Sequence, residues 1–402
     1  MVAKDKFKIL LFNYQSSILE AERYFYNFGY AAILKFHQPL IKGCPQTEVI
    51  CYEGGRPVGR KALGYTGRTF LFLLKFFPSL YFLVDFQVIA ECVCAGIFCG
   101  RGKFDLCISR HLCTAIAGYI LKKLGKVKRT ILYITDYYVN DAGCKSAISK
   151  FYNFLYKKLL KFLVADCDGL WLISPYLLQA PYLSSLLQVT PKPVFAFETA
   201  GCEDLQIDIT QIAYSRDIAF LGNLGLHHGI ELAVGALKEL AKSFPDVKLK
   251  IIGTGPEEDN IRVLVKKNGL EQNVIFYGYI EDRKKVYEIL SGCAIGLATY
   301  KPSSEFEVNK YLDPGKARMY MAVGLPVVIT KGPYFAEIVE KCRAGFVIDY
   351  NTGQLINVLS KFLRDSVLIR QFRSSMFNVA RKYNYEKIMQ EAMDYTFGNI
   401  KI

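Results

Sequence analysis

The sequence LDPGKARMYMAVGLPVV, residues 312–328, encodes a short helix followed by a buried strand. Asp313 is a good N-cap, Pro314 suits the first helical position, and Gly324 suits the position just past the last turn. The apolar run that begins at Pro326 is typical of a strand inside a parallel sheet. The stretch therefore predicts the helix-to-strand alternation of an α/β fold.

The amino end of this helix is a candidate site for a diphosphate. Backbone N–H groups without partners and the helix dipole favour an anion there. Lys316 in the first turn adds a full positive charge, and Tyr320, four residues later, shares its face. An ordinary surface helix with no ligand is the alternative interpretation.

The same alternation extends over the second half of the chain and predicts a doubly wound sheet. Strands are expected at Ile218–Leu221, Leu249–Ile252, Val274–Tyr277, Ala294–Ala298, Pro326–Ile329 and Phe346–Ile348, with helices such as Ile230–Ser243 and Lys284–Ser291 between them. Parallel strands joined by right-handed crossovers bind ligands at the carboxyl ends of the strands.

The first half shows a similar pattern. Strands are expected at Phe7–Phe12, Phe104–Ser109, Thr130–Thr135 and Gly169–Ile173, with a helix over Leu112–Leu124. We therefore expect an α/β protein with two Rossmann-like, doubly wound domains that face each other across a cleft. Residues 1–195 form the first domain, 196–216 a linker, 217–385 the second domain, and 386–402 a helix that packs back on the first.

Charge is distributed unevenly between the two halves. Residues 1–195 hold 25 Lys and Arg against 12 Asp and Glu, whereas residues 196–402 hold 26 against 25. A basic domain of this kind favours an anionic partner, either nucleic acid or a phospholipid surface. No nucleic-acid-binding module is visible in the sequence, so nucleic acid is the weaker choice.

The cysteines and the amino terminus indicate a cytoplasmic protein. The 12 cysteines include no Cys-x-x-Cys pair, which is typical of buried thiols in a reducing compartment. Residues 1–8 lack the apolar core of a signal peptide, and charged residues interrupt the most apolar stretch, residues 69–99. We therefore expect neither a signal peptide nor a membrane-spanning helix.

Four segments resemble motifs of the group-1 glycosyltransferases, which have the GT-B fold. PGKARMYMAVGLPVV at 314–328 is similar to the family's Pro-x-Lys-x-x-Glu-Tyr-Met-Ala-x-Gly-x-Pro-Val-Val motif. FLGNLG at 220–225, IIGTGP at 251–256 and VIFYGY at 274–279 resemble its two glycine turns and its strand near the nucleobase. The resemblance implies that the second domain binds a UDP- or GDP-sugar and the first binds an acceptor.

The resemblance and the local chemistry together suggest the contacts of the donor. We expect them from Gly222, Asn223, Gly225, His228, Gly253, Gly255, Tyr279, Glu305, Glu307, Asp313, Lys316, Arg318 and Tyr320. A pair such as Gly253 and Gly255 suits a tight strand-to-helix connection equally well. No metal is expected, because nothing resembles the Asp-x-Asp motif of metal-dependent sugar transferases.

The sequence departs from the family where the diphosphate and the ribose are held. Asn223 and His228 occupy the positions of the family's Arg and Lys after the first glycine turn. The paired glutamates, spaced Glu-x7-Glu, fall on Tyr311 and Met319, and a Met cannot bind ribose hydroxyls. Substitutes are expected nearby: Lys316 and Arg318 for phosphate, and Glu305, Glu307 and Asp313 for hydroxyl groups.

A general base is expected in the first domain. Asp136 follows the strand Thr130–Thr135, where the resemblance would place a His. A carboxylate there can accept the proton of the acceptor hydroxyl, which contributes on the order of 10²–10⁴ in rate. The alternative is that Asp136 caps a loop. His111 is the second candidate, against a structural His at a helix start.

The segment KFYNFLYKKLLKFLV, residues 150–164, is a candidate membrane contact. Its apolar residues at 151, 154, 155, 159, 162 and 163 are expected to form one helical face, with the lysines elsewhere on the surface. Such a helix suits a membrane interface, but an ordinary core-packed helix with a basic edge fits the pattern equally. Residues 68–86 are a second possible contact.

These observations predict a GT-B glycosyltransferase, peripheral to the inner face of the membrane. It would move a sugar from a UDP- or GDP-sugar to a lipid-linked or polysaccharide acceptor. A sugar-nucleotide epimerase or hydrolase and a catalytically degenerate partner subunit are the alternatives. A test for binding of nucleoside diphosphates separates the partner subunit from the two enzymes.

Overall fold

The structure is a computed structural model of the 402-residue chain. It describes residues 7–14, 24–25, 29–36, 47–54, 56–62, 82–98, 102–135, 147–186, 194–195, 215–302, 308–311 and 315–398. The chain forms two compact units. Unit 1 comprises Met1–Phe197 and Tyr385–Ile402, and unit 2 comprises Glu198–Asn384.

Unit 1 contains a mixed eight-stranded sheet. Its strands are β1 (Lys8–Tyr14), β2 (Tyr30–Phe36), β3 (Thr47–Glu53), β4 (Arg56–Ala62), β5 (Phe104–Ser109), β6 (Val127–Ile134), β7 (Gly169–Leu172) and β8 (Val194–Phe195), in the order β4-β3-β2-β1-β5-β6-β7-β8. Within this order, the six neighbouring strands β2-β1-β5-β6-β7-β8 run parallel to one another. Helices α1 (Phe82–Phe98), α2 (Leu112–Lys123), α3 (Ala147–Asp166) and α4 (Pro181–Leu186) follow in chain order.

The antiparallel edge of this sheet differs from the parallel sheet that the sequence predicts. β3 pairs antiparallel with both β2 and β4. The turn between β3 and β4 is tight, and Gly54 adopts a left-handed conformation there (φ 55°). β4 carries Arg56 and Arg60 on an exposed edge, where charged side chains discourage pairing with another sheet. A hairpin needs no helical crossover, so the alternation of strands and helices does not reveal it.

Unit 2 contains a six-stranded, fully parallel sheet, which confirms the predicted doubly wound architecture. Its strands are β9 (Ile218–Leu221), β10 (Leu249–Ile252), β11 (Val274–Gly278), β12 (Ile295–Ala298), β13 (Val327–Thr330) and β14 (Gly345–Ile348), in the order β11-β10-β9-β12-β13-β14. Its helices are α5 (Ile230–Ser243), α6 (Glu258–Lys267), α7 (Arg283–Ser291), α8 (Val308–Tyr311), α9 (Gly315–Ala322), α10 (Tyr334–Cys342), α11 (Thr352–Arg364) and α12 (Ser366–Lys382).

The strand order of unit 2 defines where a ligand would bind. From β9 the chain first builds outward through β10 and β11, and then returns to place β12 on the other side of β9. The crevice at the carboxyl ends of β9 and β12 is therefore the topological switch point of the sheet. Phe220 and Leu297, at neighbouring positions on these strands, are fully buried in the core below it.

The last helix, α13 (Tyr385–Gly398), belongs to unit 1 although unit 2 precedes it in sequence. The indole N–H of Trp171 on β7 donates to Thr396 Oγ1 at 2.9 Å, and both residues are buried. Thr396 in turn donates to the carbonyl of Ala392 at 2.7 Å. The Tyr24 hydroxyl donates to Gln390 Oε1 at 2.8 Å. Among the described residues, no helix has the length and apolar character needed to span a bilayer.

Removing the hydroxyl of Thr396 should destabilise unit 1. In Thr396→Val the buried indole N–H of Trp171 loses its acceptor, so we expect the free energy of unfolding to fall by about 1–3 kcal/mol. Trp171 is the only tryptophan of the chain, so its fluorescence during urea unfolding reports on unit 1. Thr396→Ser, which keeps the hydroxyl, is the control. Equal loss in both variants would show that the hydrogen bond is not the cause.

Candidate functional site

Helix α9 is fixed to the sheet by the side chain of Tyr320. The Tyr320 hydroxyl accepts a hydrogen bond from the Leu221 N–H at 2.9 Å and donates to the Leu297 carbonyl at 3.0 Å. It thereby links β9 and β12 at the switch point. The Tyr320 ring lies against Gly296, where an added Cβ would come within 2.7 Å of it. Glycine at 296 therefore leaves the space that the ring occupies.

Tyr320 was expected to contact the nucleotide, but its position gives it another role. The side chain is fully buried and its hydroxyl is engaged by backbone groups. We therefore assign it to holding helix α9 on the sheet. The helix ends as the sequence predicts: Gly324 adopts a left-handed conformation (φ 61°), and the Leu325 N–H binds the Tyr320 carbonyl at 2.8 Å.

Lys316 lies one turn before Tyr320, and its side chain points inward. Its side chain is buried, with an exposed fraction of 7%. The Nζ atom lies 4.2 Å from the ring centre of Phe220 and 5.1 Å from that of Tyr300. A Cβ placed on Gly222 would lie 3.9 Å from this Nζ. Lys316 therefore reaches the glycine turn after β9 from beneath.

The Lys316 amine has no hydrogen-bond partner among the described residues. Its burial lowers the pKa of Lys316 to about 7, and no carboxylate contributes to the shift. Glu231, in the first turn of α5, is engaged elsewhere: it accepts from the Tyr350 hydroxyl at 2.8 Å and lies 3.8 Å from Lys301. A buried ammonium without an acceptor is costly, so the site is suited to an anion.

Two histidines lie beside this site. The rings of His227 and His228 lie 3.9 Å apart, and the His228 ring is 5.9 Å from that of Tyr300. Burial, and then the charge of Lys316, lower the pKa of both histidines. The pKa of His228 falls to about 2, and His227 is a further cause of that shift. His228 is therefore a neutral ring at physiological pH, and its Nδ1 has no hydrogen-bond partner among the described residues.

The loop between β9 and α5 is closely fitted to the end of β12. Gly222 has a φ of 125° and Gly229 a φ of 62°, conformations that favour glycine. A Cβ on Gly229 would lie 2.3 Å from the Thr299 carbonyl, so the two backbone segments approach closely. The Thr299 hydroxyl donates to the Gly229 carbonyl at 3.0 Å, and Gly225 is buried under the loop. Asn223, at the tip, is exposed.

The second glycine turn packs closely against the first. A Cβ on Gly253 would lie 2.1 Å from the Gly222 carbonyl, and one on Gly255 would lie 2.5 Å from the Leu224 nitrogen. The Leu224 N–H also binds the Thr254 carbonyl at 3.0 Å. Both glycines are thus explained by contact between backbones, and no ligand is needed to account for them.

The other predicted residues of unit 2 lie after β11, on α9 or outside the described residues. Tyr279 follows β11 with an exposed fraction of 68%, and β11 lies two strands from β9. Arg318 is half-buried on α9. Tyr311 is buried and Met319 is half-buried, at the positions of the family's glutamates. Glu305, Glu307 and Asp313 lie outside the described residues.

In unit 1, the candidate base His111 stands at the carboxyl end of β5, as the N-cap of α2. The Thr114 hydroxyl accepts from the His111 N–H at 3.1 Å and donates to its carbonyl at 2.8 Å. These bonds fix the backbone and leave the half-buried imidazole at the helix start. The neighbouring Arg110 is buried, 5.1 Å from the Tyr133 ring centre. Asp136 lies outside the described residues.

Sequence reasoning missed three residues that enclose the Lys316 amine. Phe220 was read only as part of a strand, and His227 and Tyr300 were not singled out. Tyr300 follows directly after β12, and its N–H binds the Thr330 hydroxyl at 2.8 Å. Its place at the carboxyl end of a strand next to the switch point is the signal that would have identified it.

Comparison with known proteins finds a family match within unit 2. Residues 215–365 match the family described as Glycosyl transferases group 1. An uncharacterized glycosyltransferase of Haemophilus influenzae is 27% identical over 180 residues, which cover 44% of this chain and 48% of that protein. The poly(glycerol-phosphate) alpha-glucosyltransferase of Bacillus subtilis is 25% identical over 162 residues, 38% of this chain and 21% of that protein. The chain thus spans half or less of the length of these curated relatives.

Solved structures share the fold over nearly the whole chain. Anabaena HepE in complex with UDP superposes with a TM-score of 0.62 at 16% identity, covering 98% of this chain and all of that one. The sucrose-phosphate synthase of Thermosynechococcus elongatus gives a TM-score of 0.67 at 15% identity, covering 97% and 98%. Both sheets therefore belong to the GT-B fold of glycosyltransferases, with two Rossmann-like domains.

The buried amine should make the stability of unit 2 depend on pH. The unfolded chain keeps the Lys316 proton up to its ordinary pKa, whereas the folded chain releases it near pH 7. Folding is therefore penalised most below pH 7, and the penalty shrinks by up to about 1.4 kcal/mol per pH unit as pH rises from there toward 10.

The test compares the wild type with Lys316→Met by urea unfolding between pH 7 and 9.5, a range above the lowered pKa values of His227 and His228. We expect the stability advantage of the Met variant to be largest at the acid end and to narrow as pH rises. An advantage that stays constant over the range would contradict a lowered pKa. Lys266→Met, at an exposed position on α6, is the control.

Proposed function

We propose that this chain, whose residues 215–365 match the group 1 glycosyl transferases, transfers a sugar from a UDP- or GDP-sugar to an acceptor hydroxyl. Unit 2 binds the donor, and its diphosphate lies on the glycine turn after β9, at the switch point of the sheet. The observation that carries this proposal is the buried Lys316 amine beneath Gly222, which lacks an acceptor among the described residues.

Lys316 takes over the charge that the first glycine turn lacks. In the resemblance to group-1 enzymes, an Arg and a Lys of that turn neutralise the diphosphate, and here Asn223 and His228 stand in their places. The Lys316 amine reaches the same turn from helix α9. The rings of Phe220 and Tyr300 exclude water from it, so its attraction for a phosphate is screened less than that of a surface lysine.

The chemistry follows from this arrangement. As the bond from the sugar to the diphosphate breaks, negative charge accumulates on the leaving phosphate oxygens. A protonated Lys316 stabilises that charge, and the rigid glycine turn holds the diphosphate in place through the transfer. Backbone N–H groups of the turn add further donors. Tyr320 acts indirectly, by fixing the helix that carries Lys316.

The remaining donor contacts are assigned by the same proposal to residues with suitable side chains. Arg318 binds phosphate, and Asn223 and Tyr279 are exposed beside the carboxyl ends of their strands. Glu305, Glu307 and Asp313 would bind hydroxyl groups of the ribose or the sugar, in place of the glutamate that Met319 replaces. No metal takes part in the proposal, so activity should persist in the presence of a chelator.

Unit 1 is proposed to bind the acceptor, with Asp136 or His111 as the general base. We infer a lipid-linked or polysaccharide acceptor at the inner face of the membrane, which the chain would reach as a peripheral, cytoplasmic protein. Two observations support this class. The first half carries the positive charge of the chain. Relatives over unit 2 include a poly(glycerol-phosphate) alpha-glucosyltransferase and a putative colanic acid biosynthesis glycosyltransferase of Salmonella typhimurium.

Lys316→Ala should weaken the binding of UDP or GDP about tenfold or more, a loss of at least ~1.4 kcal/mol. The reason is that the variant removes the cation nearest the glycine turn while leaving the loop backbone in place. Isothermal titration calorimetry with both nucleotides measures the change. Lys266→Ala, an exposed lysine of α6, should bind as the wild type does. Unchanged binding in Lys316→Ala would refute the role of this residue.

Product analysis then separates the proposed reaction from its alternatives. A UDP-sugar incubated without acceptor should remain largely intact, whereas a hydrolase would release free sugar and an epimerase would change the sugar. A wild-type chain that binds no nucleoside diphosphate would instead be a degenerate partner subunit.

Donor binding should also take up a proton. At pH 8 most Lys316 amines of the free protein are neutral, and a bound diphosphate favours the charged form. Binding at this pH should therefore take up about one proton per site. Calorimetry in two buffers of different ionisation enthalpy measures the uptake, which Lys316→Ala should lose. Proton-neutral binding by the wild type at pH 8 would show that the amine is already charged without ligand.

A further inference from the structure

Helix α3 of unit 1 exposes phenylalanines that an ordinary core-packed helix would bury. The exposed fractions are 65% for Phe151, 57% for Phe154, 47% for Phe162 and 42% for Leu155. The opposite side of the helix faces the core, where Leu160, Leu163 and Val164 are buried. The prediction that Leu163 and the phenylalanines share one apolar face is therefore wrong. Leu163 lies on the core side of the helix, and the phenylalanines lie on the exposed side.

Lysines share this exposed side. Lys150, Lys158 and Lys161 are exposed, and none of them forms an ion pair among the described residues. The Lys158 Nζ lies 5.6 Å from the ring centre of Phe154, four residues earlier. We call Lys150, Phe151, Phe154, Leu155, Lys158, Lys161 and Phe162 the α3 face.

The neighbouring helix α2 extends this surface. The Tyr119 ring meets the Phe162 ring edge-on, with 4.9 Å between their centres. Lys123, with an exposed side chain, lies 5.1 Å from the Tyr119 ring centre. Leu124, directly after α2, has an exposed fraction of 56%. Aromatic, aliphatic and basic side chains therefore alternate over two packed helices.

We propose that the α3 face docks on a bilayer that contains anionic phospholipid, with the phenylalanines inserted between headgroups and the lysines bound to phosphates. Charge complementarity favours this partner, because the three lysines of the α3 face form no ion pair among the described residues and α3 lies in the basic half of the chain, residues 1–195. A second copy of the chain fits less well, since a two-fold interface through this face would set lysine against lysine. The proposal is independent of sugar transfer.

Co-sedimentation of the full chain with lipid vesicles tests the proposal. We expect binding to phosphatidylcholine vesicles that contain phosphatidylglycerol and weak binding to phosphatidylcholine alone. Phe151→Ser combined with Phe154→Ser should reduce the bound fraction about tenfold, because the inserted apolar surface is lost. Val263→Ser with Val367→Ser, equally exposed positions of unit 2, is the matched control and should bind normally. Circular dichroism checks that each variant is folded.

The charges are tested by Lys158→Glu with Lys161→Glu, which should abolish binding to anionic vesicles. Lys238→Glu with Lys266→Glu, exposed in unit 2, should not. Insertion is tested by Phe154→Trp: lipids brominated on their acyl chains should quench the new indole, while Trp171 is fully buried and serves as the reference.

Three results would overturn the proposal. The first is a wild type that stays in the supernatant with anionic vesicles, and the second is a serine variant that binds as the wild type does. The third is a wild type that does not bind vesicles but does bind another partner. That partner would be a second copy of the chain, seen as a change of oligomeric state in the serine variant, or a single-stranded oligonucleotide.

Discussion

The hydroxyl of Tyr320 lies inside the sheet of unit 2, between the carboxyl ends of β9 and β12, and binds the backbone of both strands. This contact determines the orientation of helix α9. It requires a glycine at position 296 to leave room for the ring, and it turns the preceding helical turn toward Phe220. Lys316 is carried on that turn. The place of the buried amine, and with it the proposed donor site, therefore depends on a tyrosine whose hydroxyl bonds to the backbone of two strands.

In the proposed function, one buried cation replaces two cations that the resembling group-1 motif carries on its glycine turn. A surface lysine interacts weakly because water screens it, whereas Lys316 is enclosed by two aromatic rings. The enclosure has a cost in the free protein, seen in the lowered pKa. The same enclosure strengthens the attraction once an anion arrives.

The sequence predicts the central strands of both units well, and the reason is physical. β5, β9 and β10 begin and end where the predicted strands do, since strands buried on both faces are mostly apolar. β4 escaped notice because an exposed edge strand needs no apolar run. The sequence also does not predict the direction of the Lys316 side chain, because helical spacing tells which residues share a face but not which face meets the sheet.

The path of the chain through α13 has a consequence for synthesis. The bond between Trp171 and Thr396 joins residues separated by 225 positions, and the sequence of unit 2 lies between them. During translation, unit 2 emerges in full before the residues that complete unit 1 leave the ribosome. The indole N–H of Trp171 therefore lacks its acceptor, Thr396, while unit 2 folds. A ribosome stalled before α13 has emerged would hold a completed unit 2 tethered to an incomplete unit 1.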